Sequence, residues 1–306
     1  MRLHPFPSGY VRYDRFARDL IRVQARSTIV LMIVNARMYS VTSGVGELWS
    51  ELLENIVRAS GGSHDVLDYP PPQPLGPLWA RDDKSAVFMC GLPWSLSDRD
   101  DSILVAPVPS PEAYGGEPVY WSYLVVPAYS KHKSIRNTFG GKLALTTNES
   151  QSGYYAALET LMDHSGHEPL YSELVGPTIT VPENVKTVAE GRADIASIDS
   201  YGFDLLTKHL PELTERVRVV GTTEKTPIPM FTSSGEPSVD LREAFLEAHN
   251  DPANGGLMEA LLLDRFVVPN PETYAPYPAR RARVNAHWSI HRLSELENVA
   301  LAPNYD

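Results

Sequence analysis

The chain has 306 residues, of which 42% are hydrophobic and 21% are charged, and its formal net charge at pH 7 is −11. This length allows two α/β lobes that each have a core, and the acidic balance without a dense Lys/Arg run makes nucleic acid an unfavourable partner. The single cysteine, Cys90, excludes an intramolecular disulfide.

Residues 1–29 are interpreted as an N-terminal extension whose role the sequence does not define. Arginines are scattered there among acidic and aromatic residues, without a continuous apolar region or a small-residue cleavage site. A secretory signal is therefore not predicted. The apolar run at 29–34 is far shorter than the roughly 20 residues that a membrane-spanning helix needs, so we expect no membrane span.

The first half of the chain predicts a series of βα units. A buried strand over 29–34 leads into a helix that Thr42 or Ser43 can cap and that Gly61 ends, with apolar residues at helical spacing between them. The run at 119–126 changes from aromatic to aliphatic residues and predicts a strand that crosses between lobes. Further strands are predicted over 65–69, 86–90 and 103–106, with a short helix over 75–80.

A second βα series follows the predicted crossing strand. Strands are expected over 143–145, 195–198 and 217–220, and helices over 153–162, 185–190 and 201–209. This alternation favours a mainly parallel sheet with helices on both faces. A linker at 226–230 and helices over 241–249, 256–264 and 284–296 complete the chain. We predict lobe I from residues 30–122 and 226–306, and lobe II from residues 123–225.

Small hydroxylic residues and a glycine follow the strand at 143–145. Ser150, Ser152 and Gly153 stand where a helix begins, and a helix start offers unpaired N–H groups and the positive end of a dipole to an anion. The alternative is that Ser150 or Ser152 only caps the helix. The residues alone leave both interpretations open.

A second polar group follows the strand at 195–198. This strand delivers Asp199, Ser200 and Tyr201 at its carboxyl end, where open α/β sheets bind ligands. Asp199 is suited to accept a hydrogen bond from an ammonium or hydroxyl group of a ligand, and equally suited to cap the next helix.

Three blocks in this order and spacing resemble the phosphonate/phosphate-binding (PhnD-like) family of ABC-transporter solute receptors. They are Ser-Gln-Ser-Gly-Tyr at 150–154, Val-Ala-Glu-Gly-Arg-Ala-Asp-Ile-Ala-Ser-Ile-Asp-Ser at 188–200, and Arg-Val-Val-Gly-Thr-Thr-Glu-Lys-Thr-Pro-Ile-Pro at 218–229. The resemblance covers roughly residues 31–266. It implies a type II periplasmic-binding-protein fold, in which crossover hinge strands join two α/β lobes that close on the ligand.

The resemblance also implies which residues contact the ligand. The Ser-x-Ser-Gly block would supply oxyanion donors, Asp199 would be the opposing polar contact, and Tyr39 and the loop after the third strand would contribute from lobe I. Burial as ordinary core or rim aromatics is the alternative for Tyr39 and Trp94. The predicted ligand-binding residues are Tyr39, Cys90, Gly91, Trp94, Ser150, Gln151, Ser152, Gly153, Tyr154, Asp199 and Tyr201.

One departure from the family pattern concerns the ligand. Family members that bind phosphonates commonly place a histidine about ten residues before the glycine of the Gly-Arg-Ala-Asp block, and residues 178–184 contain none. A phosphonate- or phosphate-like oxyanion, a small carboxylate and a ring-bearing compound therefore all remain candidate ligands. Trp94, Trp121 and Tyr201 would suit a flat ligand.

The expected partners follow from the resemblance. It implies a small anionic ligand, an ABC-transporter permease and the periplasm, and we expect a monomer without a cofactor. The missing signal leaves the cytoplasm open, where a ligand sensor or a pyrimidine-synthase-like enzyme on the same fold are the alternatives. No nucleophile or metal set for an enzyme is found. His287 and His291 have a spacing that could hold a metal, but Trp288 between them favours ordinary packing.

Overall fold

The computed structural model describes residues 31–294 of the chain. The whole of the predicted extension at 1–29 and the end of the helix predicted over 284–296 lie outside the described residues. The helices and strands are, in chain order, β1 (Met32–Asn35), α1 (Ser43–Ala59), β2 (His64–Val66), α2 (Leu75–Trp79), β3 (Lys84–Met89), α3 (Gly91–Leu96), β4 (Asp101–Pro109), β5 (Val119–Tyr120), β6 (Ser122–Pro127), β7 (Lys142–Thr146), α4 (Ala156–Met162), β8 (Glu173–Thr178), α5 (Val181–Ala189), β9 (Ile195–Asp199), α6 (Ser200–His209), α7 (Pro211–Thr214), β10 (Val217–Thr222), β11 (Thr226–Pro227), β12 (Met230–Ser234), α8 (Val239–Glu247), α9 (Gly255–Ala260), β13 (Leu263–Val267) and α10 (Tyr277–Ile290).

A six-stranded sheet has the order β13-β4-β12-β3-β1-β2. The pairs β1-β2 and β1-β3 are parallel, whereas β12 pairs antiparallel with both β3 and β4, and β13 pairs antiparallel with β4. Each residue of β3, which lies in the interior of the sheet between β12 and β1, is buried. The parallel βα units expected from the sequence form the β1–β3 side of this sheet.

A five-stranded sheet has the order β10-β6-β9-β7-β8. Strands β7, β8 and β9 are parallel, and β6 and β10 run antiparallel to their neighbours. Both sheets are thus mixed rather than mainly parallel. Strands β6 and β12, which bring the chain into a sheet from the other one, each run antiparallel to both of their neighbours, a feature that local periodicity does not reveal.

The chain passes between the two sheets at a two-stranded ribbon. Strand β5 pairs antiparallel with β11, with Tyr120 opposite Thr226. The single strand predicted over 119–126 is divided at Trp121 into β5 and β6, and the linker predicted at 226–230 contains β11 and the start of β12. The exact boundaries of the two lobes stay a prediction.

Helix α1 illustrates how the pattern of apolar residues builds the core. Thr42 caps it by accepting a hydrogen bond from the Val45 N–H (3.1 Å), as the sequence predicts. Its apolar face is buried on the six-stranded sheet, and Trp49 meets the ring of Phe88 edge-on at 5.2 Å. This packing fixes the turn between β1 and α1.

The elements that were not predicted from the sequence include β8, β12, β13 and the full length of α10. Helix α10 packs against both α3 and α4, and Arg280 pairs with Glu159 of α4 at 2.8 Å. The helix predicted over 256–264 ends at Ala260, and the apolar residues after it form β13 instead. No helix within residues 31–294 is both long enough and apolar enough to cross a membrane.

Candidate functional site

A cavity of about 120 Å³ lies where strands of the two sheets end. The carboxyl ends of β1 and β3 deliver Tyr39 and Cys90 to one side, and those of β7 and β9 deliver Thr146 and Asp199 to the other. Carboxyl ends of parallel strands are where open α/β sheets bind ligands. The volume suits a small ligand, since pockets for drug-sized molecules measure roughly 300–1,000 Å³.

Six of the eleven predicted ligand-binding residues line this cavity, and five do not. The lining residues come from four separate segments of the chain, which the fold brings together. They are Tyr39, Cys90, Ser150, Ser152, Gly153 and Asp199.

The segment after β7 begins a helix with a wide turn. Residues Gln151–Tyr155 form a single π-helical turn that continues directly into α4, and such turns occur frequently at functional sites. Ser150 is the N-cap, because its hydroxyl accepts a hydrogen bond from the Gly153 N–H (2.9 Å). The capping alternative therefore holds for Ser150, and the Gly153 N–H is used within the turn in this structure.

Two buried serines of the five-stranded sheet hold this turn in place. The hydroxyls of Ser122 in β6 and Ser197 in β9 both donate to the Ser152 carbonyl, at 2.8 and 2.7 Å. Gly153 allows the turn to approach β7 closely, because a Cβ atom there would lie 2.9 Å from the Cβ of Thr146. The turn is thus fixed by the sheet, which leaves the Ser152 side chain at the cavity wall.

Asp199 is the buried carboxylate of the cavity. One oxygen caps α6 by accepting the Gly202 N–H (2.9 Å), and the other accepts longer hydrogen bonds from the hydroxyls of Ser152 (3.3 Å) and Tyr39 (3.4 Å). Burial raises the pKa of Asp199 from 3.8 to about 6, and these hydrogen bonds oppose the shift only in part. The Asp199 side chain therefore caps a helix and also lines the cavity.

Tyr39 and Cys90 form the buried floor on the side of the six-stranded sheet. Tyr39 is 1% exposed, and its ring packs edge-on against Phe88 and Tyr201, at 5.2 and 4.7 Å. Burial raises the pKa of the Cys90 thiol, so the group is kept neutral rather than activated as a nucleophile.

The remaining predicted residues support the site without lining the cavity. Tyr201 donates to the Leu261 carbonyl (2.6 Å) and Trp94 donates to the Asp101 carbonyl (2.9 Å). The ring of Tyr154 meets that of Tyr155 edge-on. Gly91 lies against two aromatic rings, where a Cβ atom would come within 2.5 Å of the Tyr274 ring. Their predicted contacts with a ligand stay predictions.

Gln151 is a special case among the residues outside the cavity lining. Its side chain is 1% exposed, yet neither its amide nitrogen nor its amide oxygen has a hydrogen-bond partner. An unpaired buried amide costs free energy, and such groups commonly mark a functional position or an ordered water.

Several cavity residues were missed in the sequence. Arg37 belongs to a short 3₁₀ turn after β1, Thr146 ends β7, and Asn184 lies in α5. Each has a buried polar atom without a partner: Nε of Arg37, Oγ1 of Thr146 and Oδ1 of Asn184. The sequence offered one indication of Arg37 as a site residue, namely its position just after a predicted buried strand, which places a charged residue beside the core.

The segment in which the family resemblance led us to look for a histidine lines the cavity. Residues 178–182 and Asn184 all belong to its wall. No group of three His, Cys, Asp or Glu side chains suited to a metal ion occurs within the described range 31–294. The cavity therefore offers hydroxyls, an amide, a guanidinium and the two carboxylates of Glu149 and Asp199. The hydroxyls, the amide and the guanidinium are groups that can donate hydrogen bonds to a small oxyanion.

Comparison with protein-family models gives one match over most of the chain. A model described as an ABC transporter, phosphonate, periplasmic substrate-binding protein matches residues 86–274, which is 189 of 306 residues. No curated protein sequence matches the chain.

Solved structures share the fold at low sequence identity. A binding-protein component of an ABC phosphonate transporter from Pseudomonas aeruginosa superposes with a TM-score of 0.70 at 14% identity, covering 84% of this chain and 88% of its own. PhnD1 from Prochlorococcus marinus in complex with methylphosphonate gives 0.69 at 13% identity, with 83% and 98% covered. A Xanthomonas citri protein bound to ATP gives 0.58 at 18% identity, with 84% and 98% covered. The two-lobed type II periplasmic-binding-protein fold predicted from the sequence is thereby confirmed.

Proposed function

The chain belongs to the periplasmic phosphonate substrate-binding family of ABC transporters, and from this we propose that it captures a small oxyanion in the cavity between its two sheets. The family consists of substrate-binding components, so the chain is not an enzyme. The observation that carries the proposal is the set of unpartnered buried polar atoms, on Arg37, Thr146 and Asn184, around one small cavity.

The unpartnered atoms support ligand binding for an energetic reason. A buried donor or acceptor without a partner costs about 1–3 kcal/mol, so such atoms on three residues around one cavity favour a bound group there that supplies the missing partners. A phosphonate, a phosphate or a small carboxylate has oxygens that would accept from Arg37 and from the hydroxyls of Thr146 and Ser152. Binding would relieve the cost.

Asp199 narrows the class of ligand. At neutral pH a carboxylate whose pKa is about 6 is mostly ionised. One oxygen of Asp199 caps α6, and the other accepts only long hydrogen bonds, from Tyr39 and Ser152. A ligand that presents a proton donor beside its oxyanion would satisfy this carboxylate, whereas a fully deprotonated oxyanion would be repelled. We therefore favour a singly protonated phosphonate or a ligand with an ammonium group.

Closure of the two lobes is the proposed capture step. Helix α6 contacts the last turn of α9, where Lys208 donates to the Glu259 carbonyl (2.7 Å), and Asp204 of α6 accepts from the Tyr114 hydroxyl (2.7 Å). These contacts join the two sides of the cavity. The crossing segments at 120–126 and 221–230 are the proposed hinge, and the closed form would be the one that a membrane permease recognises.

Location and assembly follow the family in this proposal. The family is a periplasmic one, and we propose that this chain acts as a monomeric receptor there. The identity of the ligand as a small oxyanion is part of the same proposal.

Calorimetric titration tests the proposal. We expect methylphosphonate and inorganic phosphate to bind at one site per chain with dissociation constants below about 1 mM, which corresponds to about 4 kcal/mol, and choline, a cation, not to bind. Small-angle scattering should show that the bound protein is more compact. Absence of heat for each anion, with the protein folded by circular dichroism, would overturn the proposal.

A further inference from the structure

Arg37 is the one cation among the described residues that line the cavity. The other charged lining groups are the carboxylates of Glu149 and Asp199. Anion binding in a cavity with two acidic side chains requires a compensating positive charge, since burial disfavours the ionised form of any group without a partner. The residue that supplies this positive charge therefore helps to decide which ligands the cavity binds.

The Arg37 side chain is buried without a counter-charge. Its exposed fraction is 5%, and none of the ion pairs between residues of the described part of the chain includes it. The guanidinium donates one hydrogen bond, to the Gln73 carbonyl (3.0 Å), and Nε has no partner. A guanidinium has five N–H donors, and the Gln73 carbonyl is the one acceptor that the described residues supply to this one.

The local backbone holds Arg37 at the cavity wall. Its N–H donates to the side chain of Asn35 (2.8 Å), and Asn35 in turn donates to the Leu67 carbonyl (2.8 Å). The neighbouring residues Met38 and Tyr39 line the same cavity. A buried arginine fixed by its backbone and short of acceptors is costly in the free protein, which is typical of a binding residue rather than a stabilising one.

We propose that Arg37 determines specificity by binding an anionic oxygen of the ligand from the side of the six-stranded sheet. This inference rests on the proposed function and deepens it. A guanidinium binds phosphonate, phosphate and carboxylate oxygens through paired N–H donors, so the ligand class is a small oxyanion with at least two oxygens available on that side. Asp199 across the cavity then accepts from the protonated or ammonium part of the same ligand.

The test compares Arg37→Met with Arg37→Lys by calorimetric titration with methylphosphonate at pH 7. We expect Arg37→Met to weaken binding about 10- to 100-fold, because charge-assisted hydrogen bonds are lost, and Arg37→Lys to weaken it less. The ligand-free Arg37→Met protein should unfold at the same temperature as the wild type or at a higher one, because an unpaired buried charge has been removed. A structural role would instead lower the unfolding temperature.

Arg218→Met is the matched control. Arg218 is half-buried and donates to the carbonyls of Ser130 (3.1 Å) and His132 (2.7 Å), outside the cavity. Its replacement should leave the affinity for methylphosphonate within about twofold of the wild type, since no contact with the ligand is removed.

The outcomes separate this inference from the proposed function. If the wild type binds methylphosphonate and Arg37→Met binds it equally well, the role of Arg37 is overturned and the proposed function stands. If the wild type binds neither methylphosphonate nor phosphate, both are overturned. Should Arg37→Met not fold, Arg37→Lys decides: affinity reduced by about threefold or more supports the role, and wild-type affinity overturns it.

Discussion

Replacing Gly153 by alanine is expected to destabilise the protein by about 2 kcal/mol or more and to abolish measurable binding of methylphosphonate. The added Cβ would lie 2.6 Å from Cγ2 and 2.9 Å from Cβ of Thr146, closer than carbon atoms pack. Thr146 is β-branched and ends β7, so rotation of its side chain cannot remove the contact. The π-helical turn must shift away from the sheet, which displaces Ser152 from the cavity.

Gly255→Ala is the matched control for this change, because it introduces the same methyl group into a helix where no atom beyond the helix backbone and the adjacent residues lies within 4 Å of the added Cβ. There the substitution should be neutral or stabilising by up to about 1 kcal/mol. The double variant Gly153→Ala/Thr146→Ala should regain part of the lost stability in urea denaturation. Full additivity of the two changes would contradict the contact between the turn and β7.

Replacing Asp199 by asparagine is expected to change how stability depends on pH. In the wild type the folded protein holds the Asp199 proton up to a pKa of about 6, whereas the unfolded chain releases it near 3.8. The stability contributed by the neutral carboxyl is therefore present below pH 4 and is lost as the pH rises to about 6. The loss amounts to roughly 2–3 kcal/mol, from about 1.4 kcal/mol per pKa unit.

Urea denaturation of both proteins between pH 4 and pH 7 measures this effect. The free energy of unfolding of the wild type relative to Asp199→Asn should fall by that amount over the range and then stay constant. Asparagine keeps the cap on α6, so the variant should fold normally. Asp204→Asn serves as a comparison outside the cavity. The free energy of unfolding of the wild type relative to Asp204→Asn should also fall as the pH rises, because burial raises the pKa of Asp204 to about 6 as well. If the difference in unfolding free energy between the wild type and Asp199→Asn did not vary with pH, a pKa of Asp199 raised by burial would be contradicted.

Local sequence patterns predicted the elements whose periodicity is complete within one segment. Helix α1 with its Thr42 cap and strand β9 ending at Asp199 are examples. Strands β8, β12 and β13 were not predicted, because they form by pairing with strands that lie far away in the sequence. Thr232 and Ser233 in β12 are polar yet buried, since they lie between β3 and β4, and no local pattern carries that information.

The candidate site was predictable where a motif combined with a strand end. Ser150 and Ser152 indicated the start of a helix, and Asp199 followed directly on a predicted strand. Arg37 was not predicted, because a lone arginine is ordinarily a solvated surface residue and only the fold shows that it is buried. Trp94 and Tyr201, which would suit a flat ligand, donate hydrogen bonds to carbonyls within the protein, and their contacts with a ligand stay a prediction.

A crystal structure of the protein saturated with methylphosphonate tests the central claim most directly. The account predicts density for one anion in the cavity, with its oxygens within hydrogen-bond distance of Ser152 and Arg37 and its protonated oxygen facing Asp199. A methylphosphonate bound elsewhere, with the cavity filled only by water at saturating concentration, would contradict it.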